Sequence, residues 1–104
     1  KKSIDLANPE DPYRGYLMEH GYASSTPATD GKNVFVFTGK SGLHAFTVEG
    51  KLRWSKLVGD RSSNRRWGSA ASPVLYRNLV IINAADEARC LIAFDKDSGD
   101  EKWR

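Results

Sequence analysis

The chain has 104 residues, of which 28% are charged and 39% hydrophobic, enough for one ordinary domain with a packed core. This composition is too apolar for an intrinsically disordered chain. The longest aliphatic or aromatic runs have four residues, whereas a membrane-spanning helix needs roughly 20, so no membrane span is predicted. A net charge of +3 is too small to predict nucleic-acid binding. A single cysteine excludes an internal disulfide framework.

Residues 1–22 contain two prolines and no periodic apolar pattern, so they are predicted to form an irregular connection. Three tyrosines in this stretch, Tyr13, Tyr16 and Tyr22, are predicted to fix a long loop to the surface. The functional alternative is that they line a carbohydrate or peptide site. His20 is a second candidate on the same connection, at a position where a binding face is expected.

Residues 23–57 are predicted to form a first structural repeat with four strands, at 23–28, 33–38, 43–48 and 52–57. The apolar runs are short, rich in β-branched and aromatic residues, and separated by glycine-containing turns. No sustained period of 3.6 residues is present, so little or no helix is expected. The run that begins at Val34 is apolar on both faces, which predicts that both faces of the sheet are covered.

Residues 58–68 are predicted to form a basic loop between two repeats. Arg61, Arg65 and Arg66 lie close to Trp67 in the sequence, and arginines beside an aromatic residue are suited to binding an anion, a phosphate group or an acidic partner. The alternative is a solvated loop with a basic excess. For Trp67 itself, packing between repeats is the alternative to stacking on a planar ligand.

Residues 69–104 are predicted to form a second repeat, with strands at 69–74, 78–83, 90–95 and 101–104. Four blocks recur in the same order with an offset that grows from 46 to 49 residues. They are a run of small residues that ends in proline, an apolar run, a Leu-x-Ala-Phe segment and a Gly-x-x-x-Trp segment. The added residues are placed in the turns around 84–89 and 95–99, where a repeat tolerates insertions.

These repeats predict an all-β fold. Four-stranded antiparallel sheets that recur with a period in the upper forties, each covered on both faces, are typical of β-propeller blades. Residues 23–57 and 69–104 therefore correspond to two blades of a larger propeller.

The sequence of motifs resembles the pyrroloquinoline-quinone-like (PQQ-like) propeller repeat. The resemblance depends on the small-residue runs that end at Pro27 and Pro73, the Leu-x-Ala-Phe segments, and the glycine–tryptophan segments. It implies that the tryptophan that closes each blade packs on the neighbouring blade. The motif positions that define the repeat are Pro27, Pro73, Gly50, Gly99, Trp54 and Trp103.

Two blades cannot close a ring, because propellers contain 4 to 8 blades. We expect the chain to be part of a longer propeller, whose remaining blades are then its first partners. The alternative is that several copies of the chain assemble into a ring or pair through exposed strand edges.

No catalytic or metal-binding constellation is identified in the sequence, and no residue is assigned as a cofactor ligand. The segment from Asp95 to Asp100 resembles the start of a calcium loop but has glycine at position 5 instead of 6, so it is interpreted as a hairpin turn. His44 is predicted to be a packed side chain, and Cys90 a partly buried, inert thiol.

The resemblance implies two functions. The first is a noncatalytic binding or scaffolding platform in an extracytoplasmic bacterial protein, periplasmic or secreted, with another protein as a further partner. The alternative is part of a PQQ-dependent dehydrogenase, whose quinone and Ca²⁺ would be bound mostly by other blades.

Overall fold

The computed structural model describes residues 3–4, 25–61 and 70–104, and the structural statements that follow concern these residues. They form two four-stranded antiparallel sheets in which consecutive strands are neighbours. The first sheet contains β1 (Ala28–Thr29), β2 (Asn33–Phe37), β3 (Leu43–Thr47) and β4 (Leu52–Lys56). The second contains β5 (Val74–Tyr76), β6 (Leu79–Ala84), β7 (Cys90–Asp95) and β8 (Glu101–Trp103).

Helix is confined to two short connections in the described part of the chain. A 3-10 turn at Gly39–Ser41 joins β2 to β3, and a four-residue helix, α1 (Ala85–Ala88), joins β6 to β7. The second connection contains added residues, as the sequence predicts for the turn around 84–89. The predicted all-β architecture of about two propeller blades, with little helix, is confirmed.

The first strand of each sheet differs from its prediction. Strands were expected at 23–28 and 69–74, but β1 begins at Ala28 and β5 at Val74, immediately after the prolines. Proline has no N–H group to donate, so the pairing of these strands begins only after it. The described residues of the small-residue runs instead lead into the sheet.

In the sequence, the apolar runs align from Asn33 and Asn78, an offset of 45 residues, and the pairing register corrects this alignment by one residue. Ala45 pairs with both Phe35 and Trp54, and Ala93 pairs with both Ile81 and Trp103. Along β2 and β6 the offset is therefore 46 residues. Leu79, and not Asn78, is the structural counterpart of Asn33, although both asparagines begin their apolar runs in the sequence.

The core lies between the two sheets. Phe35, Phe37, Leu43 and Ala45 of the first sheet are buried against the second sheet, which contributes the buried residues Val80, Ile82, Ala84, Ile92 and Phe94. Burial of apolar side chains contributes roughly 25 cal/mol per Å², so this interface is the main stabilising contact between the blades.

The connections divide into two ends of the molecule. The turn end consists of residues 30–32, 47–51, 76–78 and 95–100, which contain the β1–β2 and β3–β4 turns and their counterparts. The crossover end consists of residues 38–42, 57–61 and 85–89, which contain the β2–β3 and β6–β7 connections and the start of the chain that leaves β4. Because both sheets are antiparallel meanders, the two kinds of connection lie at opposite ends.

Candidate binding surface

Trp54 anchors the first sheet on the second at the turn end. Its indole N–H donates a hydrogen bond of 2.9 Å to the carbonyl of Lys96. The ring lies between Phe35 and Phe94, with centroid distances of 6.0 and 6.3 Å. A Cβ on Gly99 would lie 2.6 Å from the Trp54 ring, so the glycine of the second repeat provides the space that this tryptophan fills.

A charged pair lies beside Trp54. The ammonium of Lys96 is 3.2 Å from the carboxylate of Asp30, and both side chains are mostly shielded from solvent. Partial burial raises the pKa of Asp30. The backbone N–H groups of Asn33 and Lys32 and the Lys96 ammonium lower it by more, and the resulting pKa is about 2. Asp30 therefore carries a charge at any physiological pH, and the pair connects the two sheets.

Arg53 forms a second contact across the same seam. The β3–β4 register shifts between Ala45 and Phe46, so Arg53 is the extra residue of a β-bulge. Its guanidinium donates to the side-chain oxygen of Asn33 at 2.9 Å and lies 3.5 Å from the carboxylate of Asp97. The bulge thus places an arginine and a tryptophan, adjacent in sequence, against the same turn of the next blade.

The two small-residue runs contact each other just before β1 and β5, the first strands of the two sheets. The backbone N–H of Thr26 donates a hydrogen bond of 3.0 Å to the hydroxyl of Ser72. These two residues occupy equivalent positions, 46 residues apart. A hydroxyl at this position of one blade therefore satisfies a backbone donor at the same position of the preceding blade.

The equivalent residues of the second sheet face away from the first. Trp103, the counterpart of Trp54, is 43% exposed, and Tyr76, the counterpart of Asp30, is 57% exposed. The β7–β8 register shifts between Ala93 and Phe94, so Lys102 is a bulge residue equivalent to Arg53.

The other motif residues lie at the beginnings of strands and in turns. Pro27 is exposed and Pro73 is buried, each directly before the first strand of its sheet. Gly50 and Gly99 occupy equivalent positions in the β3–β4 and β7–β8 turns, and both have a positive φ. The structure thus places the motif glycines and tryptophans at the turn end, and the prolines directly before β1 and β5.

The crossover end holds charged residues that are buried. Lys40 in the 3-10 turn is 3% exposed, and Glu87 in α1 is 1% exposed. The chain that leaves β4 lies against α1, because the N–H of Arg61 donates to the carbonyl of Glu87 at 3.1 Å. A Cβ on Gly59 would overlap the same carbonyl. Burial of charged groups requires compensating interactions, and both Lys40 and Glu87 take part in such interactions.

His44 is buried in β3, where the second repeat has Ile92. Its Nδ1 lies 2.9 Å from the Ser55 hydroxyl, and its Nε2 lies 3.3 Å from the Thr38 hydroxyl. Burial lowers the pKa of His44, and a hydrogen bond with the backbone of Ser41 offsets part of this effect. Both ring nitrogens are thus engaged by hydroxyl groups of the same sheet, which is the environment of a packed side chain.

Of the predicted basic loop at residues 58–68, the structure describes residues 58–61. Arg61 is exposed at the crossover end. Arg65, Arg66 and Trp67 lie outside the described residues, as do the tyrosines of the N-terminal stretch and His20.

The turn at residues 95–100 is a hairpin turn built by Asp95. Its carboxylate accepts hydrogen bonds from the N–H groups of Asp97 and Ser98, and these two bonds hold the pKa of Asp95 below its usual value. Within the described residues, no three His, Cys, Asp or Glu side chains lie together as a metal site. Cys90 is a half-buried free thiol 3.9 Å from the guanidinium of Arg104.

Sequence reasoning missed the buried charges at the crossover end and the arginine of the bulge. A lysine or glutamate in a short connection normally lies in solvent, so the sequence did not indicate that Lys40 and Glu87 are buried. The position of Arg53 could have been found, because a basic residue precedes the tryptophan in both repeats, as Arg53 and Lys102.

One family model matches the chain. It is described as "Outer membrane protein assembly factor BamB" and matches residues 6–104, which is nearly the whole chain. No curated protein gives a significant match. As for membranes, the described residues contain no helix with the length and apolar character to span one.

Proposed function

The chain belongs to the PQQ-like repeat family whose model is described as outer membrane protein assembly factor BamB, and from this premise we propose that it supplies two blades of a noncatalytic binding platform that acts outside the cytoplasm in outer membrane protein assembly. The match over residues 6–104 is the observation that carries the proposal. An assembly factor acts by binding other proteins, so its structure has to present a stable surface and needs no reacting groups.

The seam between the sheets supports a platform role. Trp54, Asp30 and Arg53 each contact the second blade at a different point of one turn. Binding surfaces are most effective when rigid elements hold them in place. Further blades complete the ring, and the loops of successive blades then form one continuous surface at each end.

We assign partner binding to the crossover end. Arg61 is exposed there, and its backbone N–H donates to the carbonyl of the buried Glu87. Arg65 and Arg66 follow it in the sequence of the predicted loop at residues 58–68. Three arginines within six residues of sequence suit an acidic segment of a client protein.

Depletion of the protein in its source cell tests the assembly role. We expect lower amounts of folded outer membrane proteins in the membrane fraction and unchanged dye-linked oxidation of alcohols and sugars. Normal amounts of these proteins after depletion would contradict the proposal.

A binding measurement tests the surface. The probe is a fluorescent poly-glutamate peptide, and its affinity is measured for the parent chain, for R61A/R66A and for K32A/K51A, which removes the same charge at the turn end. We expect the arginine variant to bind about fivefold more weakly, since it loses two exposed ion pairs that each contribute about 0.5 kcal/mol, together about 1 kcal/mol. Equal weakening in both variants would indicate a general charge effect and reject the assignment.

A bound quinone remains a proposal for a complete propeller. The described residues contain no cluster of carboxylates that would hold Ca²⁺. We therefore assign no part of a quinone-dependent oxidation to them. Saturable binding of PQQ with Ca²⁺ to the complete protein, followed by dye-linked oxidation of an alcohol or sugar, would replace the platform role with that of a dehydrogenase.

A further inference from the structure

Three side chains of the first sheet form a hydrogen-bonded row that begins in the interior and ends at the surface. Thr38 and His44 are each 6% exposed, whereas Ser55 in β4 is exposed. His44 and Ser55 lie directly opposite each other in the pairing of β3 with β4. The Ser55 hydroxyl is 2.9 Å from Nδ1 of His44, and Nε2 is 3.3 Å from the Thr38 hydroxyl. A buried imidazole therefore lies within hydrogen-bond distance of a hydroxyl group that solvent reaches.

The hydrogen bonds of Thr38 determine which nitrogen of His44 carries the proton. The Thr38 hydroxyl donates its only hydrogen to the carbonyl of Gly42 at 3.1 Å, so it can only accept from the imidazole. Nε2 of the neutral ring is then the donor, and the lone pair of Nδ1 accepts. Ser55 consequently donates its hydrogen to Nδ1. A serine that donates to a base, with a third group that orients the base, is the arrangement of an activated nucleophile.

The surroundings of His44 keep the imidazole in the neutral form that can accept a proton. Burial lowers the pKa of His44, and a hydrogen bond with the backbone of Ser41 offsets only part of this effect. The charged residues of the 38–42 connection and of β4 are Lys40, Arg53 and Lys56, all cationic, and β2 contains none. Positive charges nearby also favour a neutral imidazole. His44 is therefore available as a base at neutral pH.

The second sheet has apolar residues where this row begins. At the positions equivalent to Thr38 and His44 it contains Ala84 and Ile92, which are both fully buried in the core between the sheets. The blade fold therefore does not require hydrogen-bonding side chains at these two positions. The polar row is a property of the first sheet, and packing alone does not account for it.

Ser55 occupies a position that stays accessible when another blade lies beside it. Its counterpart is Arg104, which follows Trp103 as Ser55 follows Trp54. The first sheet covers the face of the second sheet that carries Ile92, yet the side chain of Arg104 is 45% exposed. By this equivalence, a blade packed on the same face of the first sheet leaves Ser55 open to a small molecule.

A neighbouring side chain indicates which class of molecule suits this hydroxyl. Leu57 lies two residues beyond Ser55 and is 71% exposed, more than any other large apolar side chain of the described residues. An apolar chain that ends close to the Ser55 hydroxyl can pack on Leu57 and remove part of its surface from water. The site therefore favours an acyl group with an apolar chain over a small charged group.

We propose that Ser55 is a nucleophilic modification site, activated by His44, that takes an acyl group with an apolar chain from an activated carboxylic ester. The Oγ of Ser55 forms a bond to the carbonyl carbon while its proton passes to Nδ1 of His44. The bond from the carbonyl carbon to the leaving oxygen then breaks, and the leaving group takes that proton and departs as an alcohol. The product is O-acyl-Ser55, and nothing is oxidised or reduced. This site goes beyond the platform role and does not depend on it.

Reaction of the complete, folded protein with para-nitrophenyl butyrate tests the site, with mass spectrometry of the peptides as the readout. We expect a butyryl ester on Ser55 that hydroxylamine removes, which distinguishes it from amides on lysines. Ser98 is the internal control, because it is also exposed but its hydroxyl accepts a hydrogen bond from the N–H of Asp100. We expect no ester on Ser98.

The variant His44→Ile removes the base and introduces the residue that the second sheet carries at the equivalent position, so the fold is expected to tolerate it. Because a general base contributes 10²–10⁴-fold, we expect acylation of Ser55 to become at least about 100-fold slower. Thr38→Val removes only the acceptor of Nε2. We expect acylation to become about fivefold slower in this variant, the effect of one hydrogen bond of about 1 kcal/mol.

The pH dependence of the unmodified protein provides a test that needs no variant. A hydroxyl activated by His44 reacts faster as the imidazole loses its proton, so the rate should rise at a pH below 6.5, the ordinary pKa of histidine, and then level off. A serine without a base instead reacts in proportion to hydroxide, with no plateau. The proposal is rejected if no plateau is found, if Ser98 is acylated as fast as Ser55, or if folded His44→Ile reacts like the parent protein.

Discussion

The turn end and the crossover end of the two blades are built on different physical principles. At the turn end, side chains of the first blade contact the turn at 95–100, whose shape is set by its own hydrogen bonds to Asp95. At the crossover end, the charged residues Lys40 and Glu87 are buried, and the segment that leaves β4 lies against α1 through backbone contacts. Both ends depend on contacts between residues far apart in the chain, but only the turn end presents a surface that short-range turn chemistry has already shaped.

The largest effect is expected from filling the space under Trp54 at the turn end. In Gly99→Ala, the new Cβ would lie 2.6 Å from the indole ring on a backbone with φ of +75°. We expect a loss of about 3 kcal/mol in the free energy of unfolding, from overlap plus backbone strain, measured by urea unfolding.

Gly31→Ala is the matched control for this substitution, because Gly31 also has a positive φ but no atom lies within 4 Å of its Cβ position. Backbone strain alone predicts a loss of about 1 kcal/mol. Equal losses in both variants would show that the fit of the tryptophan contributes nothing.

A smaller effect is expected at the crossover end. In Gly59→Ala, the Cβ would overlap the carbonyl of Glu87, so the segment that leaves β4 has to move away from α1. Overpacking of this kind costs about 2 kcal/mol. Hydrogen exchange at the Arg61 amide, which donates to the same carbonyl, should become faster in this variant. Unchanged exchange would mean that the segment does not depend on this contact.

The smallest effect is a pH dependence at the turn end. Because folding lowers the pKa of Asp30 from 3.8 to about 2, its contribution to stability is complete above about pH 4 and is lost as the pH falls through 2. The carboxylate is partly accessible, so we expect the contribution to be below about 1 kcal/mol.

Comparison of urea unfolding of the parent chain and of Asp30→Asn between pH 5 and pH 2 isolates this contribution. The two stability curves should converge at the acid limit. Parallel curves would show that Asp30 does not contribute through its charge.

Most of the fold could be predicted from the sequence, because the same order of apolar runs and turns occurs twice in the chain. The period, the turn glycines and the Leu-x-Ala-Phe segments predicted the two sheets, and the strand from Cys90 to Asp95 was placed with the bounds observed. The starts of β1 and β5 were predicted several residues too early. The small residues before Pro27 and Pro73 show no alternation of apolar and polar side chains that would mark where strand pairing begins.

The sequence by itself determined the antiparallel sheets, their number of strands and the equivalence of Trp54 and Trp103, because these depend on local turn geometry and on alternation along each strand. Only the tertiary structure decided that one tryptophan is packed and the other exposed, that Arg53 reaches across the seam, and that Lys40 and Glu87 are buried. These properties depend on which sheet lies beside which, and contacts between residues more than 40 positions apart leave no periodic mark on the chain.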